Sequence, residues 1–515
     1  MALPRLLENG RGLGLACVAA LTVAQGLAAG AAAFATRGLF QAMHIGSTPS
    51  FALLSVLVGA GAVIAACRVF SRQIGERIGQ DYARQIRAAL FEHAALMPAP
   101  VVAARRPGYM SLRFVGDMTA FRNWLSLGLP RLIATAVLMP VMFAVLWVLD
   151  PVFALAVGPI ATLGLVLIAL GGLRLIPLQR RLRARRAKIA AEMTEKMPLA
   201  PSLDRLGRRE RELASLDRRC ASMIDAALTH RWSVEILKAL PDIAAGLAAA
   251  SIILFGFRAG LGTGDIAAAL AAMGLMLAPL RDLGGVWNHR AAHTVAMVKA
   301  TNACAHAKRD LYRNRKSLPK GPVDLAFEDL SLPSGDVLTT RIIGGTVSEL
   351  SLSQVDKDRL VELLLGLDAP KTGQIRFSEI DITELSRGTL RRNVFFVDAR
   401  PVILHGSLRR ALLLGCDDRL DDDHLTLTAL KVGLGDTLKR LGGLGGTVLE
   451  GGRNLTRDER LAVAFARLRL VKPRIIIVEH ENFKEIGCQQ KTWGTRRDAT
   501  ILCLAPKTHA SRTPV

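Results

Sequence analysis

Cysteine is sparse and scattered in this chain of 515 residues. Seven occur, at Cys17, Cys67, Cys220, Cys304, Cys416, Cys488 and Cys503, and no two are separated by two residues. With little His around them, that spacing argues against a zinc site or a redox pair. Free thiols facing a reducing cytosol, or buried in helices, are the expectation. Aromatic residues make up only 5%, with three Tyr. Lys is absent from residues 71–129, and no charge falls in the central part of the first four long apolar runs. Asp242 lies near one end of the fifth, so a charged binding site within the bilayer is not expected.

What is plentiful is apolar sequence. Half of the residues are hydrophobic and the mean hydropathy is +0.30, which points to a membrane class. Six runs lie near 12–33, 50–68, 130–149, 151–173, 236–257 and 264–286. Each approaches the ~20 residues that cross a bilayer as a helix. Their Ala, Gly and Leu content suits close helix contact. Arg5 and Arg11 precede the first run, as in a secretory signal. Its apolar stretch exceeds the ~7–15 residues of a signal core, so a retained span is expected.

The chain carries 67 Lys and Arg against 44 Asp and Glu, a formal charge of +23. On a soluble surface that excess would suggest nucleic acid. Here it is tied to the ends of the apolar runs. Residues 71–129 hold eight Arg and 174–238 hold sixteen Lys plus Arg, whereas the opposite loops hold only Arg37 and Arg258. Basic residues stay inside, so both termini and both long loops should be cytoplasmic. A multi-pass protein of the cell inner membrane, in contact with lipid and not with nucleic acid, is the expectation. Ile74, Ile78, Tyr82, Ile86, Leu90 and Phe91 recur at helical spacing, and the same period runs from Arg180 to Arg231. The spans should therefore continue as helices into the cytosol.

This plan resembles that of ABC exporter half-transporters. Residues 106–121, from Arg106-Pro-Gly-Tyr through Asp117 to Phe121, are similar to the stretch holding that family's first coupling helix. Asp204 to Leu216 is similar to the second. The resemblance implies an all-α six-helix transmembrane domain of ABC exporter type, followed by an α/β P-loop-NTPase-like ABC domain. The expected boundaries are 1–300 for the membrane domain, 301–320 for a basic connector, and 321–515 for a degenerate nucleotide-binding-like domain.

Beyond the connector, strand-like and helix-like segments alternate, as an α/β layer structure requires. Leu325–Phe327, Thr346-Val347, Val394–Val397, Ile475–Val478 and Thr500–Leu504 read as strands. Asp358–Leu367 and Glu459–Leu470 read as helices. Gly366–Ile375, Leu390–Val397, Pro401–Leu408, Val448–Leu455 and Pro473–Val478 are similar to landmarks of an ABC nucleotide-binding domain.

The positions that handle ATP in that family are substituted here. A phosphate loop needs glycines for sharp turns and free N–H groups, a Lys for the phosphates, and a Ser or Thr for Mg²⁺. By the resemblance, its glycine positions hold Ser351, Gln354 and Asp356, and its hydroxyl positions hold Asp358 and Arg359. Lys357 alone is kept. Ala399 matches the Gln that senses Mg²⁺ and water. Thr456, Arg457 and Asp458 follow Leu455 where the signature has Ser-Gly-Gly. Glu479 matches the metal-linked Asp, His480 the catalytic Glu and Pro506 the switch His. No aromatic ring follows Leu332 where one would stack on adenine. His480 has the chemistry of a base, but without a phosphate cradle it has no positioned substrate.

The resemblance names ATP and Mg as cofactors, whereas these residues predict that neither is bound and that no catalytic residue or metal site remains. The expected function is a membrane pseudo-ATPase, a structural or regulatory partner subunit without intrinsic ATPase activity. It would pair with an intact ABC half-transporter or with itself. Two alternatives stay open: a transport-competent half of a heterodimeric exporter driven by ATP at a partner-supported site, and a membrane scaffold or assembly factor without transport. Any substrate is expected to be amphipathic.

Overall fold

The computed structural model describes residues 3–48, 50–103, 117–398, 400–416, 419–479, 496 and 498–507. It divides into one unit of residues 1–95 and 104–307, and a second of 96–103 and 308–515.

The first unit is built from six long apolar helices: α1 (Arg11–His44), α2 (Phe51–Ala95), α3 (Met118–Leu149), α4 (Pro151–Lys196), α5 (Arg209–Arg258) and α6 (Thr263–Cys304). α2 alone has 45 residues, about 68 Å at 1.5 Å each, more than twice a hydrocarbon core of about 30 Å. The expected helical extensions are therefore present, continuous with the spans. The α3–α4 corner is made by Asp150, whose carboxylate accepts the Val152 N–H at 2.9 Å, and by Pro151 in the first turn. Proline there loses no helical hydrogen bond.

Small residues set how closely α2 and α3 approach. A Cβ on Gly79 would lie 2.7 Å from the Arg122 carbonyl, and one on Gly75 would lie 3.0 Å from that of Ser126. Trp124–Gly128 forms a π-helical turn inside α3, a local change from i→i+4 to i→i+5 hydrogen bonding. Phe121 and Trp124 meet His293 of α6 at ring distances of 5.6 and 5.7 Å.

α1 and α2 run antiparallel, and α1 contains the whole of the expected run 12–33. Arg11, 2% exposed, donates to Gln85 at 2.8 Å, and Gly14 faces Ile78, while Gly38 faces Leu53. The C-terminal part of α1 thus lies beside the apolar start of α2, and its N-terminal part beside the polar end. Leu15 and Val18 are apolar because they are buried against protein. Hydropathy does not separate that environment from lipid.

In the second unit, one sheet has the order β2–β1–β4–β5, from Val337–Ile342, Leu325–Ser331, Gln374–Phe377 and Ile380–Asp381, all antiparallel. The other is parallel, with the order β3–β10–β9–β6, from Val347–Leu352, Thr500–Pro506, Ile475–Glu479 and Val394–Val397. Ile475–Val478 is wholly buried, as expected for a parallel strand covered on both faces. β7 (Gly406–Ser407) and β8 (Thr447–Val448) form a short ribbon.

Besides a short helix at Ala99–Ala103, this unit holds α7 (Gln354–Leu364), α8 (Arg387–Asn393), α9 (Leu408–Leu413), α10 (Asp422–Lys431), α11 (Gly435–Leu441) and α12 (Arg457–Val471). Residues of α9, α10, α11 and α12 share an apolar cluster that includes Leu412, Ala429, Leu438 and Val463. The basic connector is hydrogen-bonded into the unit: the N–H groups of Arg313 and Lys316 donate to the Thr383 and Glu384 carbonyls, each at 2.9 Å. Ala99, just beyond the end of α2, donates to the Leu367 carbonyl at 3.0 Å. That segment belongs to the second unit.

Candidate nucleotide site

The residues aligned with a phosphate loop sit at the β3–α7 junction. β3 ends at Leu352 and α7 begins at Gln354, so Ser353 alone lies between them. The helix starts one turn ahead of the expected Asp358, because Ser353 caps it: its hydroxyl accepts the Asp356 N–H at 3.3 Å. The Ser353 carbonyl takes the Lys357 N–H at 2.9 Å. A phosphate cradle requires such N–H groups to be free and carried on a loop. Here two are engaged within the first helical turn.

Asp356 is 1% exposed. One carboxylate oxygen accepts the Ser353 hydroxyl at 2.6 Å and the other accepts the Ser334 N–H at 3.0 Å. Burial opposes its ionisation most strongly, yet the hydrogen bonds from Ser353 and Ser334, with the Lys507 charge nearby, hold its pKa below the ordinary carboxylate value. Lys357 is 7% exposed, within α7. Gln354 donates to Asp358 at 2.9 Å. Arg359 pairs with Glu362 at 3.3 Å and with Asp368, and it donates to the Ala369 carbonyl, tying α7 to the turn that follows it. Ser351 lies on β3, in register with Ala505 of β10.

The residues aligned with the signature begin α12. Thr456 caps that helix, and a reciprocal box joins it to Glu459: Thr456 N–H to the Glu459 carboxylate at 2.8 Å, Glu459 N–H to the Thr456 hydroxyl at 3.2 Å. Glu459 also accepts from Thr437 at 2.7 Å and from Arg440, at 2.7 Å to each oxygen. Thr456, Arg457 and Asp458 are exposed. Glu479 ends β9 in register with Leu504, and Pro506 ends β10 opposite Leu352. Ala399, His480 and the first coupling stretch up to Gly116 lie outside the described residues, as does Cys488. The second coupling stretch starts within a one-turn helix, Ala200–Arg205, and continues into α5. Among the described residues, no group of His, Cys, Asp or Glu has a metal-holding arrangement.

Ser353, Ser334 and Glu459 were not singled out by sequence, although they organise these two helix starts. The spacing Thr456-x-x-Glu459 is a capping-box signal that would have found one of them. A Ser preceding the helix, three residues before Asp356, is the weaker cue for the other.

Six long membrane-crossing helices followed by an α/β unit with a parallel sheet define the ABC exporter class of architecture. Residues 15–279 match the ABC transporter transmembrane region, and the chain belongs to that family. It is a multi-pass membrane protein. It is 26% identical over 258 residues to an ATP-dependent lipid A-core flippase of Colwellia psychrerythraea, covering 47% of this chain and 44% of that protein. It is 29% identical over 162 residues to a mycobactin import ATP-binding/permease protein of Mycolicibacterium thermoresistibile, covering 30% and 28%. The chain thus spans less than half the length of these curated relatives. The fold is similar to that of a bacterial Atm1-family ABC exporter with ATP bound, with a TM-score of 0.82 and 18% identity, over 97% of this chain and 92% of that one. At that identity the likeness shows the fold alone.

Proposed function

We propose that this chain is a membrane pseudo-ATPase, the non-catalytic half of an ABC exporter assembly, acting as a structural or regulatory partner subunit. The observation that carries this reading is the β3–α7 junction. One residue stands where a phosphate-holding loop would turn, and a buried carboxylate fills the first turn of the helix. A second anion there meets repulsion and finds its N–H donors engaged. The ATP group does not fit these residues, and no catalytic step is assigned to them.

The partner role follows from which faces are altered. In an ABC dimer each nucleotide lies between one subunit's phosphate loop and the other's signature. This chain carries Gln354, Asp356 and Asp358 at one and Arg457 and Asp458 at the other. Beside an intact half-transporter, neither composite site would be complete. The apolar strand Ile475–Val478 and the core of α7 are nevertheless kept, which suits a domain that folds and docks. The basic asymmetry of the loops supports an inner-membrane orientation with both termini cytoplasmic.

The full chain in lipid nanodiscs should show no Mg-ATP hydrolysis above background. Clear turnover by the chain alone would contradict the proposal. One observation favours a second reading, a transport-competent half with a partner-supported site: the start of α12 is exposed and Thr456 retains a hydroxyl there. Co-purification with an intact half, whose ATPase activity then depends on this chain, would decide for it. An amphipathic cargo is proposed for either assembly.

A further inference from the structure

We infer that the second unit carries its own anion at the start of α7, and that Asp356 thereby clasps the two sheets together without a nucleotide. This rests on the non-catalytic reading and goes one step further. The unit does not simply fail to hold ATP; it is completed by a side chain of its own.

Ser334 lies in the turn between β1 and β2, closed by the Leu332 N–H to the Asp336 carbonyl at 2.9 Å. That turn belongs to the antiparallel sheet. Asp356 belongs to the helix that leaves the parallel sheet after β3. The Ser334 N–H to Asp356 bond, 3.0 Å long and made to a buried residue, therefore joins the two layers. A helix N-terminus favours negative charge in its first turn, and Asp356 supplies one that cannot diffuse away. Ser353 holds the other carboxylate oxygen, so the group is fixed from both sides.

A second clasp flanks the first. Lys507, just beyond β10, donates through its ammonium to Asp336 at 2.9 Å and through its N–H to the Leu352 carbonyl at 3.0 Å. The same turn is thus pinned to α7 at Ser334 and to the end of β10 at Asp336. The Lys507–Asp336 pair is more than half exposed on both sides and contributes little by itself. The Asp356 bond is the stronger of the two, because both bonds end on a carboxylate and only this one is shielded from the water that screens the exposed pair. The consequence is a unit with one resting arrangement, suited to a fixed platform and not to a nucleotide-driven cycle.

Hydrogen exchange on the full chain in nanodiscs tests this at the Ser334 amide. In the native protein that amide should be protected without nucleotide. Asp356→Ala should speed its exchange at least about tenfold, while the amides of Ile475–Val478 remain protected. Unchanged exchange at Ser334 overturns the inference. If Asp356→Ala also strips protection from Ile475–Val478, the near-isosteric Asp356→Asn is read instead, with faster exchange confined to the turn as the expected result. No change there, or a global loss in that variant too, overturns the clasp. Mg-ATP that slows Ser334 exchange in the native chain would overturn the non-catalytic reading itself, whatever the variants show.

Discussion

Replacing Glu459 by Ala removes several contacts at the start of α12 together. The Thr456 N–H loses its acceptor, the Thr437 hydroxyl is left in a site 1% exposed, and Arg440 loses both of its 2.7 Å bonds. Loss of the box costs about 1 kcal/mol. Leaving a buried hydroxyl unpaired costs about 1–3 kcal/mol. Arg440 is 46% exposed, so its pairing adds at most about 1 kcal/mol. These terms share one network and do not add fully, and about 2–4 kcal/mol is expected. At about 1.4 kcal/mol per decade, the amides of Leu461–Leu468 should exchange roughly 30- to 700-fold faster if they open locally. An increase below about fivefold would refute the reasoning and show that apolar packing alone holds the helix.

The same carboxylate gives a pH test with a definite sign. Burial is the largest influence on Glu459 and raises its pKa, but Arg440, Thr437 and the Thr456 N–H outweigh it and hold the pKa below the ordinary value. A depressed folded pKa means that the stabilisation is complete above the unfolded value, about 4.3. It is lost as the pH falls through the folded value. Glu459→Gln should flatten that part of the acid limb in the exchange of α12.

Three glycine substitutions, one of them a control, test packing in the separate units. Gly373 has φ +76°, and a Cβ there would lie 2.3 Å from the Asp329 carbonyl oxygen. Gly373→Ala should therefore cost about 3 kcal/mol or more and lower the thermal midpoint of the second unit. On α2, Gly79→Ala brings a Cβ within 2.7 Å of the Arg122 carbonyl, whereas Gly59→Ala meets nothing within 4 Å. Thermal unfolding in detergent should show the first destabilised by about 1–3 kcal/mol and the second close to native. Equal midpoints would remove the case for tight α2–α3 packing.

Much of the fold was legible because it is written in long signals. Runs of twenty apolar residues and the helical spacing of Ile74, Ile78, Tyr82 and Ile86 announce helices longer than a bilayer. Ile475–Val478 announces a buried strand. The features that stayed hidden depend on partners distant in sequence. The register that sets Arg11 beside Gln85, the π-helical turn at Trp124–Gly128 and the approach of Gly373 to Asp329 each arise from packing. The helix start at Gln354 was misplaced because hydropathy is blind to a capping hydroxyl. At the candidate site, residue identities were readable by likeness to a family. The clasp from Ser334 to Asp356 was not, since it joins segments 22 residues apart through a backbone donor.

Equilibrium binding of labelled Mg-ATP to the full chain in nanodiscs tests the central claim most directly. The account predicts no saturable occupancy at millimolar nucleotide, and none gained at low salt. Saturable binding that is abolished by Lys357→Ala would contradict it, because it would place phosphates at the very turn that Ser353 and Asp356 close.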